Sequence, residues 1–169
     1  VKFAYYKTSR ERRLEKRRQS LLPKMKNIIQ KYESAIKHLE NADTGLDRAD
    51  EYERFGHILM AHAHQKVEHT DSVELQNPYN PDETVTISVK PKLSLAENAE
   101  YYYEKAAKSR RNVEESRKRL TQTRKDLQMI QQLAHSLSDL NHVYEFEDWF
   151  SENEKKLKET GILKAESSE

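Results

Sequence analysis

The sequence predicts a mainly α-helical protein: a long antiparallel coiled-coil hairpin with a small helix plus β-hairpin module at the tip and a short C-terminal helix. Three observations predict this class. Two long segments carry apolar residues at alternating steps of three and four. Charged residues make up 35% of the 169 residues, and hydrophobic residues also make up only 35%. This composition is typical of long solvated helices that share a narrow apolar seam.

The first predicted element is a helix from about Lys7 to Asn41. Pro23 lies inside it and has no amide proton to bond the preceding turn, so we expect a kink or a break there. Gly45 is expected to follow the end of this helix in a left-handed conformation. The seam residues follow heptad spacing, namely Met25, Ile29, Tyr32, Ile36 and Leu39.

A second helix is predicted from Leu46 to Gln65, and after it the apolar period changes from helical to two. Two such runs flank the turn-forming stretch QNPYNPDE, which predicts a β-hairpin with a long loop. An isolated hairpin is marginally stable, so this one must lean on the flanking helices. The alternating residues are Val73 and Leu75, then Val85, Ile87 and Val89.

A second long helix is predicted from Ser94 to Leu140, with Ser94 and Glu97 forming a capping box at its start. Its length corresponds to roughly 70 Å at 1.5 Å per residue. A short acidic helix from Glu145 to Glu159 follows and is closed by Gly161. The heptad positions of the long helix are Val113, Leu120, Leu127 and Ala134, interleaved with Ser116, Thr123, Ile130 and Leu137.

The predicted segments are therefore a first coiled-coil helix, a tip module, a second coiled-coil helix, and a short acidic helix with its tail. They span residues 1–43, 44–93, 94–141 and 142–169. If the two long helices fold back antiparallel, Asn41 lies near Asn98 and Leu14 lies near Lys125. Each seam then finds its partner within the chain, which predicts a monomer.

The residue types that support catalysis or metal binding give no signal here. There is no cysteine, no glycine-rich phosphate loop and no nucleophile motif. The densest histidine cluster lacks an obvious third ligand, and we interpret it as helix residues near a turn. We therefore expect no enzyme, no catalytic residue, no cofactor and no metal. The histidines are His57, His62, His64 and His69.

No apolar run reaches the length of a membrane span, and the basic start lacks the apolar stretch of a signal peptide. These features predict a cytoplasmic protein with no membrane partner. The chain begins with Val1 rather than methionine, and we expect it to be a segment of a longer protein.

Three consecutive tyrosines precede a basic run in the second long helix. Successive helix residues point in different directions, so the three rings cannot form one platform for stacking on bases. We expect instead an aromatic contact between the long helix and the tip module, through Phe55, Tyr102 and Tyr103.

Basic residues concentrate on both long helices, which indicates a polyanionic partner, although solvated helix faces are the alternative. Residues 1–39 contain 12 Lys and Arg against three acidic residues, and residues 105–125 contain nine against two. Residues 40–104 reverse this balance, with five against fourteen. RNA is therefore expected to bind the two basic segments, and protein to bind the acidic tip between them. The candidates for RNA or ribosome binding are Lys105, Lys108, Arg110, Arg111, Arg117, Lys118, Arg17 and Arg18.

Five stretches occur in the order seen in one known family: AYYKTSRERRLEKRRQSLL, ERFGHILMAH, VELQNPYNPDETVTISV, PKLSLAENAEYYYEKAAKSRR and EKKLKETGIL. The chain resembles the NFACT family, also called fibronectin-binding protein A-like, which includes ribosome quality-control factors. The resemblance covers nearly the whole chain and corresponds to the family's middle coiled-coil arm. The chain has Ala106 where the family usually carries a tyrosine.

The resemblance implies a function as well as a fold. Such proteins bind a large ribosomal subunit obstructed by peptidyl-tRNA and promote template-free extension of the stalled chain. The arm would reach the stalk-base region, contacting rRNA, ribosomal protein or both, while tRNA binding belongs mainly to other domains. Two alternatives remain open: a fragment of a fibronectin-binding surface adhesin, and a generic coiled-coil spacer or dimeriser.

Overall fold

The computed structural model describes residues 6–164, which are mainly helical with one two-stranded antiparallel sheet. A single 3-10 turn, Asn41–Asp43, joins the first two helices. The mainly helical class and the β-hairpin are thus confirmed. The elements are α1 (Ser9–Glu40), α2 (Thr44–Ala61), β1 (Ser72–Asn77), β2 (Asn80–Ser88), α3 (Leu95–Ser138) and α4 (Val143–Glu159).

The chain forms two compact units. Unit 1 comprises the residues up to Leu39 and those from Arg119 onward, and unit 2 comprises Glu40–Lys118. The core of unit 1 consists of apolar side chains from three helices and from the segment after α4. Large apolar groups removed from water are the main source of its stability. The buried members are Leu21, Met25, Ile130, Leu133, Leu137, Phe146, Trp149, Leu157 and Ile162.

Helix α1 continues through Pro23, so the break that was one of the two expected outcomes does not occur. Proline removes one backbone hydrogen bond, which is a local cost of about 3 kcal/mol in a helix interior. Leu21 and Met25 flank it and are only 1% and 0% exposed. Their burial on the two sides of Pro23 stabilises the helical conformation across it.

The expected pairing between the ends of the long helices is wrong in register. In unit 1 the guanidinium of Arg18 donates to the carbonyl of Leu140 at 2.7 Å. Leu14, one turn before Arg18, therefore lies near the end of α3 and not near Lys125. Seam spacing alone repeats every seven residues, so it fixes the faces of two helices but not their relative shift.

In unit 2 the expected pairing of Asn41 with Asn98 is also wrong, and the structure shows the cause. Arg117 pairs with Asp43 at 3.0 Å, which places the start of α2 about 28 Å along α3 from Asn98, where Asn41 was expected. The first part of α3 is covered by α2 rather than by α1. The sequence pattern of α2 is too short to show that this helix replaces the longer one as the partner.

The β-hairpin packs its apolar face into the core of unit 2. Val73 is paired with Ile87 and Leu75 with Val85 across the two strands, and all four side chains are buried. The alternation predicted from the sequence is therefore confirmed. Their partners in the core are Ile58, Leu59, Leu95, Ala99 and Tyr102.

The start of α3 is fixed by the predicted capping box. The backbone amide of Ser94 donates to Glu97 Oε2 at 2.7 Å, and the amide of Glu97 donates to Ser94 Oγ at 3.1 Å. Hydrogen bonds from the backbone amide of Ser94, and to a smaller extent from its hydroxyl, lower the pKa of Glu97. Asn98 is 1% exposed and accepts a bond from the Lys90 amide at 2.8 Å, which ties the preceding loop to the helix.

Gly45 does not adopt the expected left-handed conformation; among the described residues Gly161 alone has a positive φ, at 76°. Gly45 lies inside α2, and a Cβ there would meet Val113 Cγ2 at 2.7 Å. Its carbonyl accepts a bond from the Ser109 hydroxyl at 3.0 Å. Glycine is needed at this position for the close approach of α2 to α3, whereas Gly161 closes α4 as predicted.

Candidate nucleic-acid interface

The three tyrosines of α3 point in different directions and make different contacts. Tyr102 is buried, its ring lies 5.5 Å from that of Phe55, and its hydroxyl donates to the carbonyl of Ser88 at 2.6 Å. Burial raises its pKa. The Tyr103 hydroxyl is 3.0 Å from His57 Nδ1. Both rings join α3 to its neighbours, and neither is free to stack on a base.

Tyr101 is half-buried and holds two lysine side chains at the surface. The Nζ atom of Lys90 is 3.8 Å from the centre of its ring, and that of Lys105 is 5.1 Å away. Lys105 also lies 4.8 Å from the ring of Tyr52. Aromatic faces attract ammonium groups in this geometry. Tyr101 and Tyr52 therefore position lysine side chains, which is a different role from stacking on bases.

Three of the predicted RNA-binding candidates on α3 are occupied by carboxylates of the same unit. Arg110 pairs with Glu53 and, at 3.0 Å, with Asp50, and these hydrogen bonds raise its pKa, the one from Glu53 most. Arg117 pairs with Asp43 at 3.0 Å. Lys118 similarly pairs with Glu114, one turn earlier on α3, at 3.0 Å.

The two candidates on α1 lie in unit 1 and also have partners there. The guanidinium carbon of Arg17 lies 3.8 Å from the ring centre of Phe150. Arg18 donates to the Leu140 carbonyl, as described above. Arg18 closes the end of α3, so its charge serves the fold.

Lys108 and Arg111 differ from these residues, because neither forms an ion pair within residues 6–164. With Lys105 they follow a spacing of three residues. This spacing places them along one side of α3, with the Cβ atoms of successive members about 5–6 Å apart. Together with Tyr101 they line a shallow groove along this helix, where Glu104 is the one lining carboxylate in the described part of the chain. Lys90 adds a fourth cation above Tyr101.

We call this set the α3 basic face, defined by Lys90, Lys105, Lys108 and Arg111. Its cations can contact successive phosphates of a nucleic-acid backbone without first breaking an internal ion pair. Lys90 lies in the loop before α3 and is not among the binding residues predicted from the sequence. Its contact with Tyr101 is tertiary, and no local sequence signal reveals it.

The histidines have separate roles in the described part of the chain. His62 Nε2 is 2.8 Å from the carbonyl of Gln76, and His69 Nδ1 is 2.6 Å from that of Pro91. His57 contacts Tyr103 and Glu53. Within residues 6–164 no group of three His, Asp or Glu side chains is arranged to hold a metal ion.

Helix α3 is the longest described helix, and neither it nor any other helix in residues 6–164 is apolar enough over a sufficient length to cross a bilayer.

Comparison with known proteins gives a family for the chain. No curated protein matches it. The family described as NFACT N-terminal and middle domains matches residues 3–169, which is nearly the entire sequence. The chain therefore belongs to the NFACT family.

Proposed function

We propose that this chain is the coiled-coil arm of an NFACT-type ribosome-associated quality-control protein. In this role it contacts the obstructed large ribosomal subunit while a stalled nascent chain is extended without a template. Membership of the family supports the proposal. The arm binds the large ribosomal subunit and positions the protein on it. It has no catalytic role of its own and works in the cytoplasm.

The observation that carries the proposal is the α3 basic face. It gathers four cations, of which Lys90 and Lys105 contact the ring of Tyr101. The other two, Lys108 and Arg111, line the same groove and have no ion-pair partner in the described part of the chain. Cations arranged along one helix side can neutralise several phosphates and release their counterions. Ribosomal RNA is the partner that this face fits.

We further infer that α1 and α3 form an antiparallel coiled coil. The six heptad positions predicted in the part of α3 that belongs to unit 1, from Leu120 to Leu137, are all buried or half-buried. A seam of this kind fits a monomeric arm that buries its own apolar positions.

Co-sedimentation of the whole chain with purified large ribosomal subunits tests the proposal. We expect the chain to sediment with the subunit at about 50 mM salt and to be released well before about 200 mM, as for binding through several phosphates. Immobilised fibronectin serves as the second arm of the experiment. Capture by fibronectin with no subunit binding would favour the adhesin reading.

Sedimentation velocity without any ligand separates the arm from a coiled-coil dimeriser. A monomer is expected, because the seams are satisfied within one chain. A stable dimer that also fails to bind the subunit would replace the proposal with the spacer or dimeriser function.

A further inference from the structure

A second cationic surface lies on unit 1, and sequence spacing places part of it on one side of α1. Arg13, Arg17, Lys24 and Lys31 are separated by four, seven and seven residues. These steps return to the same side of a helix with 3.6 residues per turn, and the stretch covers about 27 Å. Charges spaced in this way form a line rather than a cluster.

The acidic residues of α1 lie away from this line. In the part of α1 that belongs to unit 1, the three carboxylates are Glu11, Glu15 and Glu33. Glu11 is buried and accepts a hydrogen bond from the Tyr144 hydroxyl at 3.0 Å. Glu15 and Glu33 occur about half a turn around the helix from the line, on the basis of their spacing from Lys24. They do not neutralise it.

The segment after α4 adds a fifth cation that the sequence does not place near α1. Gly161 has a φ of 76°, and the amide of Leu163 donates to the carbonyl of Leu157 at 3.0 Å. Ile162 is buried in the core, so the direction of this segment is fixed. As a result Lys164 lines the same groove as Lys24 and Lys31, with Asn27 between them.

No carboxylate lines this groove in the described part of the chain. Within residues 6–164, Arg13, Lys24, Lys31 and Lys164 form no ion pair. Arg17 stacks on Phe150 at 3.8 Å, which orients its guanidinium but leaves its charge uncompensated. Like charges collected without counter-charges create a positive potential that attracts a polyanion.

We propose that this surface, the α1 basic surface defined by Arg13, Arg17, Lys24, Lys31 and Lys164, binds the phosphate backbone of double-stranded RNA. The inference rests on the proposed function and adds a second RNA contact to it. A straight line of cations fits a regular duplex backbone, which proteins recognise mostly by shape and phosphate position. Single-stranded RNA is less well suited, since Arg17 covers the ring of Phe150 and no aromatic ring lines the groove in the described part of the chain.

The test is fluorescence anisotropy of the whole chain with a labelled RNA duplex of about 16 base pairs, the length that a duplex-binding domain spans. The variant replaces Lys24, Lys31 and Lys164 with glutamine. The matched control replaces Lys26, Lys66 and Lys156, which are exposed, lie outside both basic surfaces and remove the same charge. Circular dichroism at 222 nm confirms that both variants remain folded.

We expect the slope of log affinity against log salt to fall by about 2 to 3 in the variant, because each phosphate contact contributes roughly 0.7 to 0.9. The control should change the slope by less than about 1. A single strand of equal length should bind more weakly than the duplex. Three results would each overturn the proposal. The slope could fall equally in variant and control, or the single strand could bind more tightly than the duplex. An acidic peptide could also displace the labelled duplex at a lower concentration than unlabelled duplex does.

Failure of the proposed function gives a different result. If the chain does not sediment with large ribosomal subunits but binds the duplex through this surface, the ribosomal role is wrong and the RNA contact stands. If subunit binding is retained and the lysine variant binds the duplex as well as the control does, only the further inference is wrong.

Discussion

The two units are built from the same kinds of helices but hold them together differently. Unit 1 relies on large apolar side chains, with Phe146 and Trp149 stacked at 6.0 Å in a core shared by three helices. Unit 2 relies on a close helix approach at Gly45 and Gly56, and on tyrosines whose hydroxyls reach other elements. The first core is expected to tolerate small changes of shape, and the second to be sensitive to single atoms.

The two units also differ in their charge balance and in how many of their basic residues form internal ion pairs. Unit 1 contains 19 Lys and Arg against 13 acidic residues, and unit 2 contains 11 against 16. In the acidic unit several arginines and lysines are used internally, as Arg110, Arg117 and Lys118 show. A run of basic residues therefore indicates a nucleic-acid surface only after its internal partners have been counted.

The largest effect is expected from a charge placed in the core of unit 1. Ile130 is 0% exposed, and replacing it with Asp leaves a carboxylate buried without a partner. We expect a loss of at least about 3 kcal/mol in the free energy of unfolding, measured by urea denaturation. Leu127→Asp should lower the free energy of unfolding by less, because Leu127 is only half-buried. The exposed neighbour Gln131→Asp is the control, and a similar loss there would show that the core is misassigned.

A smaller effect is expected where α2 meets α3 in unit 2. Gly45→Ala brings a methyl group against Val113, and overpacking of this kind costs about 1–3 kcal/mol. Val113→Ala should relieve part of that cost by removing the contacting methyl. A double-mutant cycle measured by urea denaturation should thus give a favourable coupling energy between the two changes. Strictly additive losses would mean that the helices do not approach at Gly45.

The hydroxyl of Tyr102 should contribute less than either of these packing effects. Tyr102→Phe removes the hydrogen bond to the Ser88 carbonyl and should lower the free energy of unfolding by about 1 kcal/mol. Tyr101→Phe is the matched control, since no hydrogen bond from its hydroxyl occurs within residues 6–164. Equal thermal and urea stability of the two variants would contradict the assigned role of Tyr102.

The smallest effect concerns the exposed capping box at the start of α3. The pKa of Glu97 is lowered in the folded chain by hydrogen bonds from Ser94. Its contribution to stability is therefore present above the unfolded pKa of about 4.3 and is lost as pH falls through the folded value. We expect the stability difference between wild type and Glu97→Gln to shrink on acidification. A difference that is unchanged at pH 3 would contradict this linkage.

The local features of the fold could be predicted from the sequence because they depend on spacing over a few residues. Ser94 and Glu97 form the capping box three residues apart, and Val73 and Leu75 show the alternation of a strand. Helix type and the buried side of each helix follow from such short-range patterns.

Long-range features could not be predicted in the same way. The shift between α1 and α3 is wrong in the sequence interpretation, because a heptad pattern matches its partner at every seventh residue. The role of Gly45 was also missed, since its partner Val113 is 68 positions away in the sequence. The α3 basic face combines residues that were predicted, such as Lys108, with Lys90, which only the tertiary fold brings to Tyr101.

The most direct test of the account compares unpaired and paired cations on the same helix. One variant carries Lys108→Gln with Arg111→Gln, and the other carries Arg117→Gln with Lys118→Gln, so both lose two charges. Binding to large ribosomal subunits is measured across a salt series. We predict that the first variant lowers the slope of log affinity against log salt by about 1.4 to 1.8, and that the second changes it little. An equal or larger change in the second variant, or binding that is independent of both, would contradict the assignment of the α3 basic face.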